Sequence, residues 1–91
     1  MTTSLTPRER SVLAILQHRI DETAICPTFV EMRDALGLKS PSGVHAALQS
    51  LQEKKWIRRD RHRQGVEILQ RLPEAALAQA LREIEKGAKA S

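Results

Sequence analysis

Residues 40–55, Ser-Pro-Ser-Gly-Val-His-Ala-Ala-Leu-Gln-Ser-Leu-Gln-Glu-Lys-Lys, hold the side chains whose types and spacing best suit chemistry. Ser42, His45, Ala46 and Gln49 fall at i, i+3, i+4 and i+7, one face of a helix, and none carries a formal charge. A solvated helix face normally carries Lys and Glu. Val44, Ala47, Leu48 and Leu51 repeat the spacing on the other side as an apolar stripe. The uncharged face has what base edges require. Gln binds adenine in a bidentate manner, Ser and His donate or accept, and the Ala46 methyl can rest on a thymine methyl. Gly43 costs a helix roughly 1 kcal/mol, and its expected compensation is close approach of its bare backbone to a duplex. The competing reading is an ordinary polar face that happens to be weakly charged.

Charge supports the first reading. The 91-residue chain has net charge +4 and an isoelectric point near 9.8. Residues 1–38 hold 4 basic and 5 acidic side chains, residues 39–71 hold 8 and 3, and residues 72–91 hold 3 of each. The whole surplus lies in the middle third, as in an electrostatic footprint for a polyanion. Ser40 and the first N–H groups of the helix are placed to bind a phosphate. Lys39, Lys54 and Lys55 flank the helix and suit phosphate contacts, and Arg58, Arg59, Arg61, His62 and Arg63 crowd the segment after it.

Other chemistry has little support. His18, His45 and His62 show no spacing that would gather them with acids or cysteine, and no Gly-rich phosphate loop is present. No enzyme activity, cofactor, metal or small-molecule ligand is implied. His18 reads as an edge-of-core or surface residue, and the single cysteine, Cys26, as a buried structural thiol. One cysteine excludes an internal disulfide and suits a reducing cytoplasm. The longest apolar runs are about five residues, too short for a membrane span or a signal-peptide core.

The elements that must position these residues are legible from caps and periods. Thr6, Pro7 and Glu9 form a capping box with proline at the first helical position, opening a helix from Pro7 to about Asp21. Ala24–Cys26 reads as extended, or a very short strand, ahead of Pro27. Thr28 and Glu31 repeat the box for a helix from Phe29 to Leu36, closed by Gly37. A tight turn then leads to the third helix, about residues 41–54, and the pair forms a helix-turn-helix. Next the period changes to two. Ile57, Val66 and Ile68 are the inward positions of a β-hairpin with a loose basic tip. Pro73 introduces an Ala-rich helix with Leu77, Ala80, Leu81 and Ile84 on one side, and the tail 87–91 is expected to fray. The fold class is mainly α with a small β-hairpin: a winged helix-turn-helix with an additional C-terminal helix. Residues 1–71 make the binding domain and 72–91 a helix and tail.

Three segments resemble the N-terminal DNA-binding domain of LexA, the SOS repressor family. They are Leu5–Leu16, Cys26–Ile57 and Gly65–Leu69, within about residues 4–70. The most specific are the Pro-Thr-x-x-Glu entry to the second helix, the Leu-Gly-x-x-Ser-Pro turn and the Leu-x-x-Leu spacing of the third. The resemblance implies repression of transcription by a dimer on a palindromic operator. It assigns base reading to Ser42, Gly43, His45 and Ala46, with Gln49 added from the helical face, and a phosphate contact to Ser40. Better-known members carry Asn and a pair of Glu here, so the family operator is not expected to carry over. Lys55 stands where the family usually has a helix-ending glycine, and Trp56 replaces a small aliphatic residue. The chain has no Ala-Gly cleavage linker and no room for a Ser-Lys dyad, so a stand-alone regulator that does not cleave itself is expected.

Leu77, Leu81 and Ile84 either close the domain's own core or form a self-complementary dimer patch. The expectation is a cytoplasmic, double-stranded-DNA-binding regulator of bacterial or phage origin, associated with the nucleoid and dimeric on DNA. The rivals are a winged-helix module docking on a polymerase or a LexA-like partner, and an architectural DNA binder of little specificity.

Overall fold

The computed structural model describes residues 5–40, 42–60 and 65–90. In chain order the elements are α1 (Pro7–Thr23), α2 (Phe29–Leu36), α3 (Ser42–Glu53), β1 (Ile57–Asp60), β2 (Gly65–Ile68) and α4 (Glu74–Ala90). Both capping boxes form. The Thr6 hydroxyl accepts from the Glu9 N–H at 3.1 Å and the Glu9 carboxylate accepts from the Thr6 N–H at 2.8 Å. The Thr28–Glu31 pair at the start of α2 does the same at 3.1 and 3.3 Å. Each box satisfies two donors that a helix start leaves unpaired.

α1 is the helix around which the others pack. Val12, Leu13, Ala14, Ile15 and Leu16 are buried in succession, because α2, α3 and α4 all pack against this one helix. From α3 the stripe Val44, Ala47, Leu48 and Leu51 faces inward, joined by Met32, Ile57, Leu72 and Ala80. Leu77, Leu81 and Ile84 of α4 lie half-buried against that core. A buried amide anchors the chain between β2 and α4. Gln17 donates to the Leu72 carbonyl at 3.2 Å and accepts from the Leu72 N–H at 2.8 Å. Among the described residues no helix is long and apolar enough to cross a membrane.

β1 and β2 form an antiparallel hairpin in the register Ile57↔Ile68, Arg58↔Glu67, Arg59↔Val66 and Asp60↔Gly65. Four helices with this two-stranded wing make the winged helix-turn-helix expected from the sequence.

Two boundaries differ from expectation. α1 continues to Thr23, and Ala24 is left-handed (φ 59°), its N–H bonded to the Ile20 carbonyl at 2.9 Å. No strand forms over 24–26. The restriction imposed by Pro27 falls on Cys26 alone, which leaves Ala24 able to terminate the helix. At the other end α4 continues through Ala90 instead of fraying from Gly87. One glycine costs about 1 kcal/mol, too little to stop a helix whose neighbouring residue types are good helix formers.

α2 and α3 end in the same motif with different residues. At Gly37 (φ 69°) the Leu38 N–H reaches the Arg33 carbonyl at 3.0 Å. At Lys55 (φ 65°) the Trp56 N–H reaches the Leu51 carbonyl at 2.9 Å. This is the Schellman arrangement, and it places its turning residue in the left-handed region. There a side chain costs about 1–2 kcal/mol that glycine does not. Lys55→Gly is therefore expected to raise stability by about 1 kcal/mol, part of the relief being offset by the glycine's greater freedom when unfolded. Urea unfolding checks this, and an unchanged or lower midpoint would contradict it.

Candidate nucleic-acid interface

The helix-turn-helix is α2, the four residues Gly37–Ser40 with Pro41 following, and α3. Two contacts with α1 set the roll of α3 beyond its apolar stripe. They lie on the flank that carries Gly43, Ala47 and Ser50 of α3 and Lys54 just past its end, one helical turn apart. Glu9 is their acceptor. Its side chain is 5% exposed and takes the Lys54 ammonium at 2.7 Å and the Ser50 hydroxyl on its other oxygen. Burial pushes the Glu9 pKa up, but hydrogen bonds from Lys54, Ser50 and the Thr6 N–H, with the Lys54 charge, outweigh it and bring it down to about 2.

This arrangement bears on two sequence expectations. Lys54 was expected on a phosphate; its ammonium lies instead on the buried Glu9 carboxylate, since position 54 continues the α1-facing flank. Gly43 was expected to admit a duplex. A Cβ there would stand 2.7 Å from Arg8 Nη1 and 3.3 Å from Leu38 Cδ1. The space beside Gly43 is filled from within the protein, because the residue lies four positions before buried Ala47 rather than on the outward stripe.

The outward stripe itself is open. Ser42, His45, Ala46 and Gln49 are all exposed, with the Ser42 hydroxyl 2.7 Å from that of Ser40. Glu53 ends the stripe as an exposed acid, so the uncharged part is confined to the N-terminal two turns. A duplex groove admits a helix of these dimensions, and such N-terminal turns are the part that reaches base edges.

Ion pairs redistribute the basic surplus. Arg58 pairs across the hairpin with Glu67, and Arg71 with Asp21. Among the described residues, Lys39, Lys55 and Arg59 are the cations of the middle third without a carboxylate partner. Lys39 and Lys55 are exposed. The Arg59 guanidinium carbon stands 5.6 Å from the Phe29 ring centroid. On the same ring, His45 lies 5.8 Å away at an interplanar angle of 51°. Arg61, His62 and Arg63 lie outside the described residues, as does Pro41.

Of the remaining candidates, His18 stands 3.4 Å from Glu22 at the surface. Cys26 is half-buried. Burial pushes its thiol pKa up, with a backbone hydrogen bond from Val66 and the Arg59 charge opposing and Glu31 adding to the rise. Among the described residues no group of three His, Cys, Asp or Glu side chains is arranged to hold a metal. The sequence reading missed Ser50 and Arg8 as neighbours of the helix-turn-helix, and gave Phe29 no role beyond opening the second helix. The available signal was the spacing of Gly43, Ser50 and Lys54 beside the apolar stripe.

A family model described as the LexA DNA binding domain matches residues 2–64. This chain belongs to the LexA DNA-binding domain family. The chain is 39% identical over 88 residues to the LexA repressor of Erythrobacter litoralis, covering 96% of this chain and 37% of the relative. It is 40% identical to that of Novosphingobium aromaticivorans, covering 84% and 32%. With that of Paramagnetospirillum magneticum it shares 43% identity over 77% of this chain and 30% of the relative. The chain thus spans about a third of the length of the LexA repressors it matches. No solved structure matches it.

Glu9 supplies a pH test of how α3 is held. A folded-state pKa lowered from the ordinary 4.5 to about 2 contributes roughly 3 kcal/mol of stability. That contribution is complete above about pH 4.5 and is lost as the pH falls through 2. In urea unfolding between pH 5 and 2, Glu9→Gln is expected to be less stable at pH 5 and to have a shallower acid slope than the wild type. Parallel curves would contradict this role.

Proposed function

We propose that the protein is a sequence-specific DNA-binding transcriptional repressor. α3 inserts Ser42, His45, Ala46 and Gln49 into the major groove, while the wing and the flanking lysines hold the phosphate backbone. The single observation that carries the reading is the exposed, uncharged N-terminal face of α3 beside a basic hairpin. Solvation gives no reason for such a face, whereas base edges match it. Membership of the LexA DNA-binding domain family supports it, as does the repressor role named for the relatives.

Repression follows from occupying a promoter. A palindromic operator bound by two copies is the economical arrangement, since one such module buries too little surface for a tight specific site. Residues 1–71 form the reading unit. We assign Leu77, Leu81 and Ile84 to closing its core, a role supported by their half-buried position. Ser40 and Lys39 sit at the start of α3, where a phosphate gains from unpaired N–H groups and the helix dipole. Lys55, Arg58 and Arg59 serve the backbone from the other side of α3 and the wing, joined by Arg61, His62 and Arg63.

Selection of bound sequences from a random duplex pool, with the winner titrated at two salt concentrations, tests the reading. An enriched site with strong salt dependence is expected. Salt-sensitive binding without enrichment would replace it with an architectural role, and no binding would remove DNA altogether. His45→Ala or Gln49→Ala should change base preference at one position by about 1–3 kcal/mol. Equal weakening on all sequences would contradict base reading. Arg61→Ala or Arg63→Ala should weaken binding on every sequence and lower the salt slope by about 1 each. An unchanged slope would remove the wing tip from the interface.

A further inference from the structure

Phe29 is the first residue of α2, directly after the Thr28 cap, so the capping box fixes the backbone that carries its ring. The ring is half-buried and packs against the core. Its contacts come from two elements far apart in sequence. His45, on the outward face of α3, meets it with centroids 5.8 Å apart and planes inclined at 51°. Arg59, on β1, brings its guanidinium carbon to 5.6 Å from the centroid. The first geometry is that of an offset or tilted aromatic pair, the second that of a cation–π contact. His45 and Arg59 are both exposed side chains, and neither has an ion-pair partner among the described residues. The Phe29 ring is their shared support.

We infer that Phe29 is a positioning residue that couples His45 to Arg59, so that the recognition helix and the wing engage a duplex as one pre-organised unit. The inference rests on the DNA-reading function proposed above. Two exposed side chains held in place before binding lose less freedom on contact than two free rotors. Both side chains contact the one ring, so a shift of the ring that accompanies release of either alters the support of the other. A base contact from His45 and a phosphate or groove contact from Arg59 are then not independent. Removing both costs less than the product of removing each.

The probe is the best-bound duplex from the random pool, and the variants are made in the full chain. Affinity is measured for the wild type, His45→Ala, Arg59→Ala and the double variant, and then for the same set carrying Phe29→Leu. Leu keeps an apolar side chain at this position, and thermal unfolding checks that the fold persists. A parallel set carrying Phe29→Tyr retains the ring. With Phe or Tyr at position 29, the double variant is expected to bind about three- to tenfold more tightly than the product of the two single losses predicts, a departure typical of coupled neighbours. With Leu at position 29 the losses should multiply to within twofold, while both single effects persist. Multiplicative losses in the Phe29 protein would overturn the inference, and so would coupling that survives in the Leu variant. If neither single variant changes affinity, the reading of this face as the DNA interface falls, and the inference with it.

Discussion

One buried carboxylate ties the start of the chain to the helix that faces outward. Glu9 accepts the Thr6 N–H, completing the cap of α1, and holds Ser50 of α3 and Lys54 just past its end with the same carboxylate group. A charge nearly removed from water is tolerable only when paired and hydrogen-bonded. Here the donors come from the helix whose orientation matters. Apolar packing of Val44, Ala47, Leu48 and Leu51 places α3 on α1 but tolerates small rotations about its axis. A hydrogen-bonded ion pair on one flank is directional, and it selects the roll at which Ser42, His45, Ala46 and Gln49 point away from the core.

The same flank explains where positive charge is available and where it is not. Lys54, Arg58 and Arg71 each have a carboxylate against them, so the surplus of the middle third is not spread evenly over the surface. Among the described residues, charge without a carboxylate partner gathers at Lys39 before α3, at Lys55 after it, and at Arg59 on the wing. These positions bracket the uncharged face. Backbone-positioning charge around a neutral reading surface is the division of labour that duplex recognition requires, because phosphates are the same at every step and base edges are not. The left-handed Lys55 fits this pattern: a residue that costs stability at a helix end also supplies a cation beside the recognition helix.

Much of this was legible locally. Both capping boxes lie within four consecutive residues, Gly37 terminates α2 where glycine terminates helices, and the change from helical to period-two spacing after Lys55 marks the wing. The outward face of α3 was visible from its spacing alone. What escaped sequence reading depends on residues far apart in the chain. Glu9 was recognised as a cap because Thr6 is three residues away; its partners Ser50 and Lys54 are 41 and 45 residues away. Gly43 lies against Arg8, a residue of another helix that its own neighbours in the chain do not reveal. Gln17 gave no signal, since a buried amide looks like any surface glutamine until the Leu72 backbone is seen against it. The end of α1 at Ala24 was missed for a different reason: left-handed termination by a residue other than glycine or asparagine has no compositional mark.

On the function proposed above, the uncharged face of α3, held at a fixed roll by Glu9, is the surface that meets DNA. Titration of the isotope-labelled protein with a duplex, followed through backbone amide resonances, tests it most directly. The amides of Ser42, His45, Ala46 and Gln49, with those of Lys39, Ser40 and β1, are expected to shift on binding, while those along α4 from Glu74 to Glu83 stay in place. Shifts concentrated on α4 with α3 unmoved would contradict it.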